Sequence, residues 1–226
     1  MTSSGRLIVV AGGTGAIGSA VVEQLRGADD VVVPTRDPHS ARLPEGVTPI
    51  KCDLSSSSDV AALAEQVQAR GSWYALVVAA GGYAGGRAHE SDDKLMLAQL
   101  ELNLLGPWRI ARAALAAMLG HGRGGRIVMV ASRAAVLVEP GAAAYQVSKA
   151  ALARLVEVMA RETRGTGVTV NAVMPSTVDT AANRAAIKGD SSRWVPPAHV
   201  AQAIVWLLSD DAESVSGALL PVYGDA

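Results

Sequence analysis

Phenylalanine is missing from this chain of 226 residues, and cysteine occurs once, as Cys52. A single thiol excludes an internal disulfide and leaves no set of thiolates for a metal centre. The four histidines, His39, His89, His121 and His199, show no ligand spacing, so no metal site is expected. Excess charge is lacking too: 20 Lys and Arg against 21 Asp and Glu leave a formal net charge of −1. Such a balance supplies no field to draw the chain to nucleic acid or an anionic membrane. No apolar run approaches the roughly 18 residues of a membrane span. The opening "MTSSGRLIVVAGG" lacks the charged-then-apolar order of a signal peptide, so the expected location is the cytoplasm. No repeat and no internal boundary is visible, and residues 1–226 read as one domain.

What is present is an alternation. Short β-rich runs, "RLIVVA", "VVVPT", "TPIKC", "YALVVAA", "RIVMVAS", "VTVNAVM" and "GALLPVY", read as seven strands. Helical patterns lie between them near 16–26, 58–70, 92–119, 145–164 and 197–209. Apolar strands separated by helices imply an α/β fold: a doubly wound, Rossmann-type parallel sheet with helices on both faces. Its ligand site belongs at the carboxyl ends of the strands. The long irregular stretch 175–197 reads as a substrate lid.

"VVAGGTGAIGSAVV" leads from the first strand into a helix with Gly12, Gly15 and Gly18 three apart. The first permits a tight turn, the second a close backbone approach to pyrophosphate, the third packing of helix on strand. At the end of the second strand, "PTRDP" places Thr35 and Arg36 where a NAD site commonly has a carboxylate. A guanidinium attracts a 2′-phosphate, so NADP(H) is favoured over NAD(H); Asp37 is the ribose acid if the register differs by one or two. Asp53, in "KCDLS", is placed either to touch adenine or to cap the next turn.

"AYQVSKAAL" begins a helix with Tyr145 and Lys149 one turn apart on one side. The plain reading is a ring on a lysine stem; the chemical one is a proton donor beside the cation that makes it acidic. The ordered set decides for the latter: the glycine motif, "CDL", "ELNLLG" with Asn103, "GRIVMVAS" ending in Ser132, and "YQVSK" thirteen residues later. Over nearly its whole length the chain resembles the short-chain dehydrogenase/reductase family. That resemblance implies a nicotinamide cofactor, a small carbonyl or imine substrate, a homodimer or homotetramer, and a catalytic group Asn103, Ser132, Tyr145 and Lys149. It also implies cofactor contacts from Gly12, Thr14, Gly15, Ile17, Gly18, Thr35, Arg36, Asp53, Leu54, Ala80, Gly81, Tyr145, Lys149, Pro175, Val178 and Thr180. For Thr180 a helix N-cap is an equal reading, and Asn103 in isolation reads as a polar kink.

Departures from the family pattern are Ala16 at the second glycine site, "VVAAGGYAGG" after the fourth strand, and Ser176 after Pro175. "AAGGYAGG" and "STVDTAANR" look like the dihydropteridine reductase branch, which gives a quinonoid dihydropterin substrate as an alternative. Tyr83 and Trp194 are candidate walls for a planar substrate, and Arg133 a partner for an acidic one. A reading of another class is a non-catalytic NADP-sensing protein, and a weaker one a sugar-nucleotide epimerase.

Overall fold

The computed structural model describes residues 5–188 and 190–225; residues 1–4 and 226 of the expected domain, and Gly189 of the expected lid, lie outside the described residues. Seven strands form one sheet in the order β3-β2-β1-β4-β5-β6-β7, with every recorded pairing parallel. They are β1 Leu7–Ala11, β2 Asp30–Thr35, β3 Thr48–Lys51, β4 Trp73–Val78, β5 Gly125–Val130, β6 Val168–Pro175 and β7 Leu219–Val222. β1, β5 and β6 are buried at every position, which is why their sequences run apolar instead of alternating.

The pleat divides those side chains between two cores. Val9, Leu76, Ile127 and Val170 meet the helices on one face, α2 (Ser57–Arg70), α4 (Gly106–His121) and α5 (Ala143–Glu162). Ile8, Val77, Val128 and Val173 meet α1 (Ala16–Leu25) and α7 (Pro197–Leu208) on the other. The order of connection reverses between β1 and β4, so the crevice of a doubly wound fold opens at their carboxyl ends.

One predicted element differs. The helix expected over 92–119 is α3 (Asp93–Leu100), a π-helical turn Glu101–Leu105, then α4. Pro107 is the local cause. It has no N–H to give to the carbonyl of Asn103, and its ring crowds that carbonyl, so the ladder widens: Gly106 N–H reaches back five residues to Glu101. The Arg109 guanidinium then ties the turn together, pairing with Glu101 and donating to the Leu54 carbonyl.

The segment 175–197 is also more ordered than an open loop. It contains α6 (Ala181–Ala186), and its neck is closed by paired backbone bonds: Asp179 N–H to Val195 O at 2.8 Å and Val195 N–H to Thr177 O at 2.9 Å.

Candidate active site

A cleft of about 950 Å³ runs along the carboxyl ends of β2, β1 and β4. Nine of the expected cofactor residues line it: Gly12, Thr14, Gly15, Thr35, Arg36, Asp53, Leu54, Ala80 and Gly81. At its centre α1 starts on Gly15 with no side-chain cap and no acid in its first turn, so its amides and positive dipole end are open to an anion. Gly18 is a packing glycine: a Cβ there would stand 2.0 Å from the Gly12 carbonyl oxygen. Ile17 is half-buried against the α1–α7 core.

Arg36 follows directly on β2, exposed at the cleft, and its charge helps hold the Asp53 carboxyl below its usual range, after the stronger hydrogen bonds from Ser55. Asp53 thus caps its own turn, with Oδ1 accepting from the Ser55 amide at 2.9 Å and hydroxyl at 2.8 Å. Asp37 is likewise committed to its loop, accepting from the amides of His39 and Ser40. Ser40 and Arg42 line the same cleft. Sequence reasoning passed over both, although "RDPHSAR" brings a second guanidinium six residues after the first. Cys52 lines the cleft as a neutral thiol, pushed up to about 12 by burial.

Beyond β4 the cleft floor meets the catalytic candidates. Gly81 permits it: a Cβ on this residue would lie 2.9 Å from Asn103 Oδ1 and 3.1 Å from Lys149 Nζ. Asn103 is fully buried and grips the neighbouring peptide at both ends. Its Oδ1 accepts from Gly82 N–H and its Nδ2 donates to Gly82 O, each at 3.0 Å. Nδ2 also donates to Gln99 and to Ser148, a pair of buried partners that the sequence pattern did not single out. Ser132 caps the short turn Arg133–Ala135, its Oγ accepting from Ala134 N–H at 3.1 Å, and it stands near enough to the Tyr145 phenol to lower it. Lys149 is buried, its Nζ donating to Val130 O at 2.9 Å.

The electrostatics depart from the sequence expectation. Burial raises Tyr145 above the ordinary phenol range; the Ser132 hydrogen bond lowers it only in part, and nearby Tyr83 raises it further. Lys149 is itself pushed down to about 8 by burial. The causes that set the phenol are burial, Ser132 and Tyr83, and Lys149 is not among them, so the expected tuning of the phenol by the ammonium is not seen in the free chain.

The remaining candidates stand further along the same edge. Pro175 ends β6, Val178 is buried in the bridge to Val195, and Thr180 Oγ1 accepts from Asn183 N–H as the N-cap of α6. Arg133 lies 5.9 Å over the Tyr223 ring and 3.7 Å from Glu139. Trp194 is half-buried. At the opposite end of the sheet a cavity of about 460 Å³ is lined by Glu157, Arg161, Arg164 and Glu213 among others. Among the described residues no cluster of His, Cys, Asp and Glu is arranged for a metal, and no helix is long and apolar enough to cross a membrane.

Comparison with known proteins agrees with this geometry. The family model described as enoyl-(acyl carrier protein) reductase matches residues 15–224. The chain is 34% identical to 2-(S)-hydroxypropyl-CoM dehydrogenase 3 of Xanthobacter autotrophicus, covering 76% of this chain and 73% of the relative. It is 31% identical to 2,5-dichloro-2,5-cyclohexadiene-1,4-diol dehydrogenase of Sphingobium indicum over 98% and 96%. A short-chain type dehydrogenase/reductase structure from Mycobacterium ulcerans superposes with a TM-score of 0.89 at 26% identity, covering 97% of this chain and 89% of that one. These relatives do not carry the pteridine reductase name that the glycine loop resembles. With matches of this extent, the chain belongs to the short-chain dehydrogenase/reductase family and is an oxidoreductase of the kind that uses NAD(P)(H).

Proposed function

We propose that the protein is an NADP(H)-dependent reductase acting on a C=O or C=N group of a small molecule, with Tyr145 as the general acid and base. The carrying observation is the grouping of Ser132, close enough to Tyr145 to lower its phenol, with Tyr145 and buried Lys149 one helical turn apart on α5, beside a cleft lined by the glycine turn and Arg36. The residues present fit that cofactor: uncapped α1 amides for the pyrophosphate, Arg36 with Arg42 and Ser40 for a 2′-phosphate, and Lys149 for the nicotinamide ribose. When bound, the nicotinamide supplies the hydride in one direction and accepts it in the other.

In reduction, Ser132 donates a hydrogen bond to the substrate oxygen and holds it against Tyr145. Tyr145 passes its phenolic proton to that oxygen as negative charge develops there. A phenol raised above its ordinary value is fully protonated at neutral pH, so the free enzyme is loaded for reduction. Lys149, buried one helical turn away and charged below about pH 8, then favours the phenolate left behind, and a proton taken up from solvent restores the phenol. The 175–197 segment, closed at its neck and exposed over α6, supports the role of a lid. The assembly we propose is a homodimer or homotetramer; Leu97 on α3, Leu102 and Leu105 on the π-turn and Trp108 on α4 are exposed, as are Val147 and Val158 along α5.

Tyr145→Phe tests the assignment. Turnover of a carbonyl panel that includes quinonoid dihydropterin should fall by roughly 10²- to 10⁴-fold, while NADPH binding by fluorescence titration stays within about twofold. Unchanged turnover would remove Tyr145 from the chemistry.

A further inference from the structure

The loop after β4 holds an aromatic side chain in an unusual position. Tyr83 is 67% exposed, yet its ring packs on that of Tyr145, with centroids 5.1 Å apart and planes at 70°. Its backbone is fixed on both sides. Gly82 is gripped by Asn103 through its N–H and its carbonyl. Gly86 donates to Gly141 O at 2.8 Å and accepts from Ala143 N–H at 3.1 Å, which ties the loop to the start of α5. Only Tyr83, Ala84 and Gly85 lie between these clamps. The side chain folds back over its own loop: a Cβ on Gly85 would stand 3.3 Å from the Tyr83 hydroxyl.

An exposed ring on a clamped backbone has already lost much of its freedom, so covering it with a ligand costs little further order. The apolar surface beside it is also left open. The segment joining Ser132 to Tyr145, which meets this loop at Gly141, carries Val136, Leu137 and Val138 at 50%, 51% and 91% exposure. The two segments that flank Tyr145 in the chain and at the Gly86–Gly141 contact thus leave one aromatic face and three aliphatic side chains open to a ligand.

We propose that Tyr83 is a specificity-determining residue, selecting flat cyclic carbonyl substrates whose ring stacks on its exposed face while the oxygen reaches Ser132 and Tyr145. The proposal rests on the reductase reading given above and deepens it. Stacking on one aromatic face is worth a factor of roughly ten in affinity, whereas a flexible acyclic chain gains little from flatness.

The test compares the wild type with Tyr83→Ala, Tyr83→Leu and Tyr83→Phe on a cyclic enone and an acyclic ketone of equal carbon number. Alanine and leucine should raise KM for the enone about tenfold and leave the acyclic KM within about twofold; phenylalanine should keep both. Calorimetric binding of a flat, unreactive phenol to the NADP⁺-loaded protein gives a readout apart from turnover, and should weaken about tenfold in the alanine and leucine variants. Equal losses on both ketones, or no loss on either, overturn the proposal. A wild type that reduces neither ketone would refute the reductase reading, while phenol binding would still decide the role of Tyr83.

Discussion

Lys149 places a positive charge where no carboxylate among the described residues pairs with it, and that should be measurable as stability. Nζ is buried and donates only to the Val130 carbonyl in the described structure, and burial lowers its pKa from 10.5 to about 8. In the unfolded chain the amine keeps its ordinary value. Between pH 8 and 10.5 the unfolded state thus binds more protons than the native one, and stability rises with pH across that window. Below pH 8 the native protein carries the whole cost of charging the buried amine. A gap of about 2.5 units corresponds to about 3 kcal/mol at 1.36 kcal/mol per unit. Lys149→Met removes that cost and the bond to Val130 O, worth about 1 kcal/mol. The variant should therefore be about 2 kcal/mol more stable at pH 7, a rise in Tm of about 4–8 °C for a domain of this size. Its advantage should shrink through zero near pH 10 and reverse to about 1 kcal/mol above pH 10.5, where only the lost bond remains, and its turnover should be lost. Urea titrations without nucleotide at pH 7 and pH 10 measure both quantities. A variant less stable than wild type at pH 7, or a difference that does not change with pH, would refute the reasoning.

Two further outcomes bear on the cofactor and the assembly. Arg36→Ala should raise KM for NADPH by about 10- to 100-fold and leave KM for NADH within about twofold, since a lost charge-assisted bond to a phosphate costs about 1.5–3 kcal/mol; an unaltered NADPH KM would reject the 2′-phosphate assignment. Sedimentation velocity at micromolar concentration should show a dimer or tetramer, because the apolar residues of α3, α4 and α5 are otherwise left to water; a monomer alone would contradict the self-association proposed above.

The sheet was legible because buried parallel strands announce themselves as short apolar runs, and all seven strands lie where those runs do. The glycine turn was legible for a similar reason: spacing of three places backbone, not side chains, against a helix start. Less local features were not. The π-turn at Glu101–Leu105 follows from Pro107 acting on a carbonyl four residues back, inside a stretch whose apolar pattern favours one long helix. The commitment of Asp37 and Asp53 to their own turns depends on backbone angles, which the sequence alone does not show. Most of all, the sign of the Tyr145 shift turns on burial. Residue types show that a phenol and an amine share a helix side, but how much water each has lost is a property of the finished fold.

That finished fold links the helix irregularity to the chemistry. Widening the turn at residues 101–105 sets Asn103 with its amide turned into the interior, where Gln99 and Ser148 hold it from α3 and α5. The same amide clamps Gly82, and Gly81 beside it has room only because it lacks a side chain. Ser148 also donates to the Tyr145 carbonyl at 2.7 Å, so the grip on the loop and the backbone that carries the phenol share one hydroxyl. Asn103 thus acts on the site by position: it fixes the β4 loop, the loop fixes Tyr83, and Tyr83 rests on Tyr145. The polar-kink reading of this residue describes what is seen, since the irregular helix is what brings an amide to the floor of the cleft.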